Sequence, residues 1–163
     1  MARTPVLLEV RTLLQDLLAR SVDVTATSPW SPEPAEPATF AVYVDDSLRI
    51  RSAVVADLPF SAYAATAIAL LPGEHARCAI AERTLSRELR ENLTEVLDIC
   101  ASPQNGECVP RTTLYQVHHA GDPVSRRVAV LGAVVGRRLD VAVRIAGYGT
   151  GRLSFVAVDR LPR

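Results

Sequence analysis

Hydrophobic residues recur every three or four positions at the start of the chain, as they do on the buried side of a helix. Leucine and valine dominate this pattern between residues 5 and 20, whereas Glu9, Arg11 and Asp16 fall between them. We therefore predict a first helix over residues 5–20. The same charges interrupt the apolar run too often for an export signal.

Polar and hydrophobic residues then alternate in several segments, which is typical of half-buried strands. The alternation predicts a strand over residues 22–26 and a hairpin of strands over residues 40–44 and 48–55, joined by the turn sequence Asp45-Asp46-Ser47. Three more strands are predicted near the end of the chain, over residues 112–118, 138–146 and 152–159.

Four prolines follow the first strand and make residues 28–38 a surface loop. Trp30 in this loop is the only tryptophan of the chain. A side chain of this size on a loop usually folds back over the rim of the core, and we expect Trp30 to do so.

Two further helices are predicted between the two groups of strands. Residues 59–70 are small and apolar on nearly every side, which favours a well-buried helix. Residues 74–101 contain neither proline nor glycine and predict a long helix, with a break expected near Thr84. Residues 123–135 fit neither pattern. The order of elements favours an α+β fold, with an antiparallel sheet packed against the long helix and further helices.

Composition and charge restrict the classes of function. The 163 residues are 48% hydrophobic and 22% charged, which suits one globular domain over residues 1–163. Eighteen basic and eighteen acidic residues cancel, so no overall field attracts nucleic acid or an anionic membrane. The basic residues are all arginine, which excludes P-loop and Schiff-base lysines. No apolar run approaches the roughly 18 residues of a membrane span.

The cysteine, histidine and glycine residues give no pattern of a cofactor site. The three cysteines form no Cys-x-x-Cys pair, and their odd number favours free thiols in a reducing, cytoplasmic compartment. His75 with Cys78, and His118 with His119, lack the spacing of a metal site. The glycines of residues 147–151 precede a strand rather than a helix, so we expect a hairpin turn and no nucleotide. We expect neither metal nor cofactor.

The long helix has one hydrophobic and one acidic side. On a helical wheel, four carboxylates gather opposite the apolar residues: Glu88, Glu91, Glu95 and Asp98. We predict that Glu95 and Asp98 are exposed to solvent. Such a stripe is typical of a solvated helix face stabilised by pairs such as Arg87 with Glu91. It is also suited to docking on a basic partner.

Residues 91–101, Glu-Asn-Leu-Thr-Glu-Val-Leu-Asp-Ile-Cys-Ala, resemble the Glu-x-x-Asn helix of the CheC/CheX-type chemotaxis phosphatases, and the order of elements is similar to theirs. The resemblance implies a CheX-like homodimer that docks this helix on the receiver domain of a response regulator. In that family the glutamate pairs with a receiver lysine, and the asparagine positions the water that attacks the aspartyl phosphate. Glu95 matches the glutamate, and Asp98 stands at the asparagine position.

The aspartate at position 98 leaves both a catalytic and a non-catalytic function open. The catalytic candidates are Glu95 and Asp98, and the partner-binding candidates are Glu88, Glu91 and Asn92. A carboxylate repels the phosphoryl group, although it can accept a proton from water. One hypothesis is therefore a CheX-like domain with weak phosphatase activity, and the alternative is a non-catalytic binding or scaffold module of the same fold. In a third, the likeness is accidental and the helix face is merely solvated.

Overall fold

A computed structural model describes residues 2–159, and in this range a six-stranded antiparallel sheet is combined with five α-helices. The elements follow in the order α1 (Leu7–Leu18), β1 (Val22–Ala26), β2 (Ala38–Val44), β3 (Ile50–Asp57), α2 (Leu58–Ile68), α3 (Gly73–Glu82), α4 (Arg87–Ile99), β4 (Thr113–His118), α5 (Arg126–Gly132), β5 (Arg138–Ile145) and β6 (Gly149–Ala157). The α+β prediction is confirmed, and the described residues contain no helix long and apolar enough to cross a membrane.

The strands lie in the order β1-β5-β6-β3-β2-β4, with every neighbouring pair antiparallel. The predicted hairpins are present as β2–β3 and β5–β6. The side chain of Asp45 stabilises the first turn by accepting hydrogen bonds from the amides of Ser47 and Arg49. β1 pairs with β5, so the first strand lies three strands away from β3 and four away from β2, which follow it in the sequence. β1 and β4 form the two edges.

The main core lies between one face of the sheet and helices α1 to α4. Leu14 of α1, Phe60 of α2 and Leu93 of α4 are fully buried there against Tyr43 and Phe155 of the sheet. Because successive residues of a strand point to opposite faces, Val42 and Ala53 lie on the other side, where α5 covers them with Leu131. Residues 126–132, unassigned from sequence, thus form the helix that closes the second face.

The long segment of residues 74–101 is broken, as expected, into α3 and α4. Arg83 adopts the left-handed conformation with φ of 57° and ends α3. The Ser86 hydroxyl then accepts a hydrogen bond from the amide of Leu89 and begins α4.

The glycines of residues 147–151 allow a tight turn, as the sequence predicts, and they also allow a close approach between α2 and β6. Gly147 has a φ of 84° in the predicted turn between β5 and β6. At Gly151 the requirement is space, because a Cβ atom there would lie 2.3 Å from the backbone nitrogen of Phe60. The turn interpretation was therefore incomplete, since Gly151 allows the start of α2 to approach β6.

A buried ion pair holds the second face together. Arg138 and Asp140 of β5 pair at 2.6 Å, with side chains only 8% and 4% exposed. Arg138 also donates to the carbonyl oxygens of Gly132, Val134 and Trp30, so its hydrogen bonds join β5 to the end of α5 and to the proline-rich loop. Trp30 packs against the cluster formed by Ala38, Phe40 and Val55, which confirms that it folds back on the core.

Candidate functional site

Helix α4 is fixed at both ends and along one side. Leu89, Leu93, Val96 and Leu97 are buried, as the hydrophobic spacing predicts. At the C-terminal end, where the last carbonyl groups lack partners within the helix, the Tyr43 hydroxyl donates to the Leu97 carbonyl oxygen at 2.6 Å. The Gln104 amide donates to the Cys100 carbonyl oxygen at 2.8 Å. The opposite side of α4 is thereby held in a defined orientation.

The acidic face of α4, defined by Glu88, Glu91, Glu95 and Asp98, is exposed along its whole length. The predicted exposure of Glu95 and Asp98 is confirmed. Arg87 pairs with Glu91 at 3.1 Å, as expected, but the two side chains are 93% and 65% exposed. Within residues 2–159, the other three carboxylates of this face make no ion pair within 4 Å. The face therefore carries largely uncompensated negative charge.

Asn92 lies apart from these carboxylates. Its side chain is half-buried, and its amide nitrogen donates a hydrogen bond of 3.1 Å to the carbonyl oxygen of Ala65 in α2. The amide thus joins α4 to α2. A role of Asn92 in partner binding stays a prediction, and it would involve the part of the side chain that is not engaged in this bond.

A polar cluster connects α4 to the end of β4. The Nη1 atom of Arg90 in α4 donates to both carboxylate oxygens of Asp122, at 2.7 and 2.9 Å. The Thr94 hydroxyl lies 3.5 Å from Nε2 of His119. Burial is the main cause that lowers the pKa of His119, and the positive charge of Arg90 lowers it further. Both effects favour the neutral form of His119, and its buried Nδ1 atom has no hydrogen-bond partner among the described residues.

This cluster was not found from the sequence. Arg90 and Asp122 are separated by 32 positions, and neither belongs to a motif. The His119 amide donates a hydrogen bond to the carboxylate of Asp122, only three residues away. Nothing in the sequence indicates which helix packs on this turn. Only the packing of α4 against β4 brings these side chains together.

The thiols of Cys78 and Cys100 and the imidazole of His75 take no part in the hydrogen bonds of this cluster. Cys100 is buried on the apolar side of α4, and burial raises the pKa of its thiol to about 12. His75 and Cys78 lie on the exposed side of α3. Within residues 2–159, no group of three or more histidine, cysteine or acidic side chains is placed to hold a metal ion.

Two chemical abilities follow from this arrangement. The acidic face can bind a surface that presents arginine or lysine, because its carboxylates are exposed and its backbone is rigid. Glu95 and Asp98 are three positions apart on the helix and share that face, so both can meet one partner group. A carboxylate at position 98 accepts hydrogen bonds but donates none when ionised.

Comparison with solved structures identifies the fold. The middle domain of FliM from V. alginolyticus superimposes with a TM-score of 0.58 at 9% identity, over 92% of this chain and 86% of that chain. FliM in the FliM–SpeE complex from H. pylori superimposes with a TM-score of 0.59 at 10% identity, over 93% and 80% of the two chains. The chain therefore has the fold of a FliM middle domain.

CheX from Desulfovibrio desulfuricans also matches, over 90% of this chain and 92% of that chain, with 8% identity and a TM-score of 0.40, which is too low to support an argument. No protein-family model matches the sequence, and no curated protein matches it either. The likeness to FliM thus concerns the fold alone.

Proposed function

We propose that this chain is a non-catalytic protein-binding module, which docks the acidic face of α4 on the receiver domain of a response regulator. The observation that carries the proposal is the row of exposed carboxylates on a helix whose other side is anchored in the core. The fold is compatible with such a role, because a FliM of this fold has been crystallised in a complex with SpeE.

Asp98 is the reason to favour binding without hydrolysis. An ionised carboxylate at this position lies close to where the phosphoryl group of a docked receiver would sit, and the two negative charges repel each other. The asparagine expected from the CheC/CheX resemblance has no such charge. A receiver docked on this face would therefore keep its phosphoryl group.

Weak aspartyl-phosphate hydrolysis is the second candidate function. It is favoured by the position of Glu95 and Asp98 on the same exposed face, one helical turn apart. Glu95 would pair with the receiver lysine, and Asp98 would accept the proton of the attacking water.

Charge reversal tests the docking proposal. The double variant Glu95→Arg with Asp98→Arg should bind a phosphorylated receiver domain at least about tenfold more weakly in calorimetry, and the loss should shrink at high salt. The matched control is Asp16→Arg with Glu82→Arg, which changes exposed carboxylates of α1 and α3. Equal affinities for the two double variants would refute the proposal.

Two expectations from the sequence remain predictions. The resemblance implies a homodimer, which sedimentation velocity would detect as a doubled mass. The composition implies one domain over residues 1–163, which predicts a single unfolding transition in calorimetry.

A further inference from the structure

Strand β4 leaves one edge of the sheet open. It pairs with β2 on one side, and no strand within residues 2–159 pairs with its other side. Tyr115, the extra residue of a bulge opposite Val42 and Tyr43, is 61% exposed. Apart from this bulge, the first five residues of β4 lack the other usual protections against pairing, because they include no charge and no proline. The opposite edge strand β1 has five residues and carries Asp23.

The acidic face of α4 borders this open edge. The Thr94 hydroxyl lies 3.5 Å from the ring of His119, the residue that follows β4, so the side of α4 that carries Thr94 lies next to the end of this strand. Glu91 and Asp98 are the i−3 and i+4 neighbours of Thr94 on the helix surface and flank it there. Glu91 and Asp98 are therefore the carboxylates of the acidic face on the side of α4 that contacts the end of β4.

We propose that β4 and the adjoining carboxylates of α4 bind an extended basic segment of a partner, which adds a seventh strand to the sheet. The proposal rests on the proposed function and names the kind of segment that the acidic face receives. The backbone of the segment would pair with the open edge of β4. Alternate side chains of an added strand point to one face of the sheet, so arginine or lysine at every second position would reach Glu91 and Asp98.

Charge favours a basic segment over a second copy of this chain. Antiparallel pairing of two β4 edges would place both α4 helices on the same face of the joined sheet. Glu91 and Asp98 of the two copies would then approach each other across the junction, where like charges oppose association. A basic strand instead brings the opposite charge to each carboxylate.

A peptide series tests the proposal. The probe is a fluorescent eight-residue peptide that alternates arginine with valine or threonine, and its binding is measured by anisotropy. One control peptide has glutamate for arginine. A second keeps every arginine but carries N-methyl groups on alternate backbone amides, so that one edge cannot donate hydrogen bonds. Both registers of N-methylation are used, because only one of them faces β4.

The expected results distinguish strand addition from simple charge attraction. The arginine peptide should bind and should slow hydrogen exchange of the amides in residues 113–118. N-methylation in one register should weaken binding at least about tenfold, and glutamate should abolish it. Glu91→Arg with Asp98→Arg should weaken binding roughly tenfold, whereas Asp16→Arg with Glu82→Arg should leave it unchanged.

Three outcomes would overturn the proposal. Equal binding of all arginine peptides, methylated or not, would show docking by charge without strand addition and would leave the proposed function standing. Protection of residues 113–118 in a dimer that excludes the peptide would assign the edge to a second copy. Absence of peptide binding, while the receiver still binds in a manner sensitive to Glu95 and Asp98, would show that the face takes only a folded partner. A failure of the proposed function would look different. The phosphorylated receiver would then bind the variants Glu95→Arg with Asp98→Arg and Glu91→Arg with Asp98→Arg as tightly as it binds the natural chain.

Discussion

The hydroxyl of Tyr43 donates a hydrogen bond of 2.6 Å to the carbonyl oxygen of Leu97, and this bond links strand β2 to the last turn of α4. Both residues are fully buried, so no water competes for the carbonyl. The bond fixes the rotation of α4 next to Asp98. A side chain of β2 therefore acts together with the buried apolar side of α4 to orient the acidic face.

Removal of this hydroxyl should loosen α4. Tyr43→Phe leaves the buried Leu97 carbonyl without its partner, and we expect a loss of about 1–3 kcal/mol in the free energy of unfolding. Urea denaturation measures this loss. The control is Tyr115→Phe, since Tyr115 is exposed on β4. Equal stabilities of the two variants would show that the bond contributes nothing.

Loss of one partner should destabilise the protein far more in the buried ion pair of Arg138 and Asp140 than in an exposed ion pair. Burial alone would raise the pKa of Asp140, but hydrogen bonds from Arg138, Ser154 and the Trp30 amide outweigh it, and the pKa is lowered. Asp140→Ala leaves Arg138 buried without its counter-charge, at a cost of about 3–5 kcal/mol. Asp159→Ala breaks the more exposed pair with Arg137 and should cost no more than about 1 kcal/mol. Thermal unfolding of both variants compares the costs directly.

The half-buried side chain of His119 should make the free energy of unfolding depend on pH. Burial and the neighbouring charges of Arg90 and His118 lower the pKa of His119, against the opposing effect of Asp122. As the pH falls below about 6.5, an unfolded chain takes up a proton that the folded chain resists, so stability decreases. His119→Gln should flatten this decrease in urea titrations, whereas His75→Gln, on the exposed side of α3, should not. An unchanged slope in His119→Gln would contradict the assignment.

Substitution at Asp98 should separate docking from hydrolysis. We expect the natural chain to accelerate phosphate release from a phosphorylated receiver weakly or not at all, and Asp98→Asn to increase the rate, because an amide orients water without repelling the phosphoryl group. Glu95→Ala should abolish that increase. The rates are compared with spontaneous hydrolysis of the phosphorylated receiver. Rapid turnover by the natural chain that falls in Asp98→Asn would instead make the aspartate a catalytic base.

The close approach of α2 to β6 should not tolerate a methyl group. Gly151→Ala would place its Cβ atom 2.3 Å from the Phe60 nitrogen, so the helix or the strand must move. We expect a loss of about 3 kcal/mol or more in unfolding experiments. In Gly106→Ala the nearest atoms lie at an ordinary 3.5 Å, and the change should be small. Similar stabilities of the two variants would refute the packing requirement.

Local patterns predicted most elements of the fold, because periodic burial determines each helix and strand. The segment that was missed, residues 126–132, is a helix of only 7 residues that begins after the cap of Ser125, and its apolar residues are consecutive, so they show no helical period. The strand order could not be predicted. The pairing of Val22 with Ile145 joins residues more than a hundred positions apart, and no pattern in either strand specifies its partner.

For the candidate site, the helical wheel predicted the exposure of Glu95 and Asp98 correctly, since that depends on the geometry of one helix alone. The contact of Thr94 with His119 and the open edge of β4 depend on how separate elements pack. Such features need the assembled sheet, and they are also the features that suggest which kind of partner segment the acidic face receives.

Trp30 is the sole tryptophan, and Arg138 binds its carbonyl oxygen while Asp140 accepts from its amide. Intrinsic tryptophan emission therefore reports on the α5 side of the sheet, whereas circular dichroism is weighted toward the helices of the opposite side. The protein carries a built-in optical probe for one of its two layers. Comparing tryptophan emission with circular dichroism in a single denaturation experiment shows whether the α5 side of the sheet and the helices of the opposite side unfold together or one after the other.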